Sequence, residues 1–134
     1  MSSGSVFSSS GFNNLLQLLF NNATDTRSYT AFAIGTGTTT PVIAGTTLEA
    51  TITGWAGGTA DSKAYSTISF DTVNQQVTLR GFVTAAEATG KTITEYADVN
   101  TLATPGIAGH FVATDGPVKT SAIQVTYLTI YGRT

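Results

Sequence analysis

One histidine and eight carboxylates make up nearly all the acid–base and metal-binding chemistry of this 134-residue chain. His110 lies in the run Ile107-Ala108-Gly109-His110-Phe111-Val112-Ala113, where it alternates with Ala108 and Val112 as a strand residue would. A single imidazole and no cysteine exclude sites that need two histidines, thiolate zinc centres and disulfide frameworks. The acids are Asp25, Glu49, Asp61, Asp71, Glu87, Glu95, Asp98 and Asp115. Glycoside hydrolysis needs two facing carboxylates. Glu95 and Asp98, the closest pair, are three residues apart, and on a strand that spacing points them to opposite faces. No G-x-S-x-G elbow and no D-x-D-x-D-G calcium loop occurs. The glycine-rich GTGTTT at 35–40 lacks the G-K-[ST] ending and the following helix of a phosphate loop. Neither catalysis nor a bound cofactor is expected.

Trp55 stands among Gly54, Ala56, Gly57 and Gly58. An aromatic on a loop is a candidate contact for a sugar or a protein partner. The alternative is a tryptophan folded over the edge of the core. The triplet Asn22-Ala23-Thr24 fits a glycosylation sequon but carries little weight in a chain with 26 threonines.

Composition points the same way. Lys, Arg, Asp and Glu make up 10% of the residues, while 41% are hydrophobic. The average soluble domain carries about 25% charge. Twenty-six threonines and 11 serines stand where many proteins use Lys and Glu. The six cations, Arg27, Lys63, Arg80, Lys91, Lys119 and Arg133, are scattered, whereas a nucleic-acid groove needs clustered positive charge. No apolar run reaches the roughly 18 residues of a membrane span, and no Lys or Arg precedes a hydrophobic stretch at the amino terminus as in a secretory signal.

These residues need elements to position them. Residues 1–10, MSSGSVFSSS, read as an extended amino-terminal arm whose apolar side chains after Met1 are Val6 and Phe7. Such a segment cannot order itself alone, so either a neighbouring subunit or its own domain would hold it. Residues 11–22 read as a short amphipathic helix, with Phe12, Leu15, Leu16 and Leu19 on one face and Ser10 as the cap. Leu18 and Phe20 interrupt the polar face. The remainder reads as β: Ser28–Ile34, Leu48–Gly54, Ala64–Asp71, Gln76–Thr84, Thr92–Val99, Ile107–Thr114 and Ser121–Tyr131. Thr72–Gln76 reads as a hairpin connection, and the TDGP run at 114–117 as a turn. The last strand is apolar on both faces, which predicts a central or doubly covered position. The expected fold is mainly β, an antiparallel β-sandwich or jelly-roll-like barrel spanning 11–134 as one domain.

The order of motifs resembles small structural proteins of tailed phages and related viruses. It runs from a short helix at Asn13–Phe20 to a strand ending in G-T-G at Phe32–Gly37, then Pro41 and Thr46-Thr47-Leu48-Glu49. Ile93-Thr94-Glu95-Tyr96, Gly109–Ala113, and Lys119-Thr120 before Ile123–Tyr131 follow. The resemblance covers most of residues 12–131. The chain departs from it at Tyr96-Ala97, where a Val-Gly pair is usual, and in the Trp55 loop. The resemblance implies a virion component of decoration, tail or fibre-base type that acts by assembly. Its expected partners are copies of itself and other virion proteins, with no nucleic acid and no membrane. Val6, Phe7, Phe12 and Leu15 are the candidate subunit contacts. Two alternatives are a carbohydrate- or receptor-binding fibre module, with Trp55 contacting a glycan, and a prokaryotic surface filament subunit built by strand exchange.

Overall fold

The computed structural model describes residues 8–22, 24–42, 45, 47–56, 60–102 and 106–133. Within them one helix precedes two antiparallel sheets that face each other as a β-sandwich and do not close into a barrel. Val6 and Phe7 lie outside the described residues.

Helix α1 spans Ser9–Phe20. Its cap is Ser8, whose hydroxyl accepts the Gly11 amide at 3.0 Å, so helix begins inside the stretch expected to be arm and Ser10 is not the cap. The buried side chains are Leu16 and Phe20. The packed face is therefore turned from the one expected: Phe20 belongs to it, stacked on Tyr131 at 4.9 Å between ring centroids, while Leu19 is 37% exposed. Leu16 and Phe20, four residues apart, bury against Val77 and Leu79, and a helix this short needs such a partner.

The four-stranded sheet has the order β2-β1-β5-β6, with β1 Ala31–Gly35, β2 Ser62–Ala64, β5 Glu95–Val99 and β6 Ile107–Val112. The three-stranded sheet has the order β3-β4-β7, with β3 Thr67–Asp71, β4 Gln76–Val83 and β7 Val125–Gly132. Phe32 and Ile34 alternate inward from β1, and Val83 faces them from β4. Around the Phe32 ring sit Trp55, Tyr65, Tyr96 and Tyr127, with centroids 5.4 to 6.2 Å away. Ala31, Ala33, Ala97 and Val99 point to the other side of the sheet, where Leu48 covers them.

Three sequence expectations change here. The run Ala64–Asp71 is not one strand. Its beginning pairs with β1, its end pairs with β4, and the chain crosses between sheets at Tyr65–Ser66. Leu48–Gly54 contributes only a single bridge, Gly35 to Thr51. The last strand is neither central nor covered on both faces: β7 is an edge, and Leu128 and Ile130 on its outer face are 55% and 56% exposed.

The β3–β4 hairpin keeps the expected place. Asp71 accepts the amides of Val73 and Asn74, each at 3.0 Å, and Gln75 takes φ 54 to close the turn.

Candidate functional site

The side chains with chemistry gather in three places: a carboxylate knot beside His110, a buried aspartate among tyrosines, and an open cleft between two sheet edges.

Glu95 and Asp98 stand on opposite faces of β5. Glu95 is 1% exposed and holds down the segment that follows the G-T-G turn. Its carboxylate accepts the Glu49 amide at 2.8 Å and the Ala50 amide at 3.1 Å. Glu49 reaches back in turn: its carboxylate accepts the amides of Thr38 and Thr39 at 2.9 Å each and the Thr39 hydroxyl at 2.8 Å. The Thr39 and Thr38 donors hold the Glu49 carboxyl below its ordinary value. Both carboxylates crowd Gly37, where a Cβ would collide with the Glu95 carboxylate and stand 2.6 Å from that of Glu49. The Thr94 hydroxyl completes the knot by donating to the Gly37 carbonyl at 2.7 Å. Three motifs far apart in sequence are thus one hydrogen-bonded assembly. His110 Nε2 lies 3.4 Å from the Glu95 carboxylate and makes no hydrogen bond. Glu95 has both oxygens committed to backbone amides, so the geometry is that of a structural tie rather than of a free acid–base pair.

Asp98 is fully buried on the inner face. It accepts from the phenols of Tyr65 and Tyr131 and from Tyr96 at 2.8 Å. Burial raises its pKa, and the three phenols only partly offset that cost. The phenols themselves are pushed up, first by burial and then by the Asp98 charge. Tyr127, nearby without such a bond, is pushed up to about 12 by burial alone. Tyr131 comes from β7 and Asp98 from β5, so this cluster ties the two sheets together. Glycine at 109 leaves the passage open, because a Cβ there would collide with the Tyr131 hydroxyl.

The third place is a cleft of about 490 Å³ between the edges of the two sheets. Phe111, Val112 and Ala113 line one side and the consecutive residues Tyr127–Tyr131 the other. Neighbours along a strand point to opposite faces, so a run of five lining residues marks the edge of β7 itself. Among the described residues no backbone hydrogen bond joins β6 to β7. The opposite side is shut by the Tyr65–Ser66 crossover. Lys63 reinforces it, pairing with Glu87 at 2.9 Å and donating to the Phe82 carbonyl at 3.2 Å. Burial works against the charge of Glu87, but Lys63 and the Thr84 amide outweigh it and hold its pKa down.

The predicted contact residues fall as follows. Phe12 packs with the helix core under the guanidinium of Arg133, 4.6 Å above its ring. Leu15 is half-buried and, with Phe12, lines a second groove of about 460 Å³ between α1 and the start of β6. Trp55 is 4% exposed, stacked into the core, and its indole donates to the Asp61 carbonyl at 2.8 Å. The expectation of a ligand-contacting Trp55 gives way to the core reading, because neither its ring nor its N–H is free. The edge of β7 was missed as a site. The available signal was the apolar character of its outward face at Leu128 and Ile130. Lys119 of the K-T pair is also buried, and its ammonium donates to the carbonyls of Ala85 and Thr120 at 2.8 Å each.

Among the described residues no group of three or more His, Asp or Glu side chains is arranged to hold a metal, and no helix is long and apolar enough to cross a membrane. Compared with protein-family models, with curated proteins and with solved structures, the chain matches none.

Proposed function

We propose that this chain is a non-enzymatic structural protein of a virion that works by assembling with copies of itself. The observation that carries self-assembly is the open side of the sandwich. There Phe111, Leu128 and Ile130 are 44%, 55% and 56% exposed, and β7 itself carries no charge, the nearest on its outer face being Arg80 of β4 beside Leu128. Exposed apolar side chains along the edges of one cleft mark an interaction surface. The virion assignment rests on the motif order, whose three scattered pieces, G-T-G, the segment ending in Glu49 and the strand beginning at Glu95, meet in one knot. The glycan-binding alternative loses its motivating residue with Trp55 in the core.

Light scattering on the eluting full-length chain tests self-assembly. The expected mass is a multiple of 13.8 kDa, and a single 13.8 kDa species at high concentration would overturn it. Peptide mass spectrometry of purified virus particles tests the virion assignment, and consistent absence of the chain from them would refute it.

A further inference from the structure

We infer that β7 is the contact between copies, pairing antiparallel with β7 of a second chain so that two three-stranded sheets become one of six strands. This rests on the self-assembling reading above and names its interface.

Four strands form sheet edges among the described residues, and β7 differs from the other three. Natural edges are blunted by shortness, charge, proline or bulges. The β2 edge is three residues long and carries Lys63. The β3 edge ends in Asp71 and shows only polar Thr67 and Ser69 beside it on its outer face. The β6 edge has a register shift against Asp98 and Val99. The β7 edge is eight residues, VTYLTIYG, without charge, proline or register shift. Among the described residues its backbone bonds only to β4. An edge so exposed is a template for another strand.

The occupant follows from the same strand. Every ladder among the described residues is antiparallel. Two copies of one edge paired antiparallel are related by a two-fold axis, and each residue's contact is repeated by symmetry. Centring the axis on Thr129 sets Leu128 opposite Ile130 of the partner copy, and Ile130 opposite its Leu128. The four exposed side chains then form one apolar cluster on the outer face. An uncharged strand meeting itself brings no like charges together.

Disulfide trapping tests this, because the chain has no cysteine of its own. Leu128→Cys and Ile130→Cys are made separately on full-length chains with different tags, mixed and oxidised. Both sites are exposed, so folding should survive. The expected product is the mixed 128–130 dimer, in excess over the 128–128 and 130–130 products, which the register places diagonally. Val73→Cys, 83% exposed in the β3–β4 turn, serves as the control and should give only background. Mixed dimer no higher than this control, with the wild-type chain still oligomeric, overturns β7 pairing and leaves self-assembly standing through another surface. A wild-type chain that stays at 13.8 kDa overturns both.

Discussion

Asp98 carries an unusual pH signature for a carboxyl group. Its proton is held above the ordinary 3.8 by burial, so just above that pH the folded chain binds more protons than the unfolded one. The stability this group contributes is complete below the unfolded value and is lost as pH rises through the folded value. Glu49, Asp71 and Glu87 are shifted downward and act in the opposite sense, so a comparison with Asp98→Asn isolates the one group. The urea midpoint of the variant relative to wild type should rise as pH is raised from the ordinary 3.8 through the higher folded value. A difference that does not vary with pH would contradict this. Glu95 makes a simpler prediction. Glu95→Gln replaces one acceptor oxygen by an amide donor facing the Glu49 or Ala50 N–H, and should cost about 1–3 kcal/mol in urea unfolding. The opposite facing of Glu95 and Asp98 was legible from their spacing alone. The meeting of Glu95 with Glu49, 46 residues away, was not, because periodicity carries no information about which segments fold over a sheet.

Single elements show where local pattern is a good guide and where it fails. Ser8 caps α1, so Ser8→Ala should lower stability by about 1 kcal/mol while Ser10→Ala changes little, read from paired urea midpoints. Sequence put the start of the helix two residues late, because three consecutive serines offer equivalent caps. The strands were legible because one residue in two is apolar across most of them. The division of Ala64–Asp71 between sheets was invisible, since alternation continues through the crossover without a Gly or Pro to mark it. Trp55 misled through its neighbours. Glycines usually signal a loop, and here Gly54, at φ 64, lets the backbone turn while the indole enters the core. The double-sided apolarity of β7 predicts burial within the chain, yet the same pattern arises when the second cover is another molecule.

Across the whole molecule charge is sparse, and on β7 Leu128 and Ile130 face outward. Association driven by such a surface should depend little on ionic screening. The oligomer mass from light scattering should therefore persist at 1 M salt, where the Debye length is about 3 Å. Leu128→Lys should shift it toward 13.8 kDa by placing like charges at the contact. Dissociation in high salt, or an unchanged mass in the lysine variant, would count against an apolar edge as the cause.

The passage of the chain from β2 to β3 through Tyr65–Ser66 gives the sandwich the layout of a bound book, with that crossover as its spine. The chain passes between the covers twice more, from β4 to β5 and from β6 to β7, so the binding is sewn at several points. At the fore-edge, where β6 and β7 lie, the phenol of Tyr131 reaches across to Asp98 as a clasp between the covers.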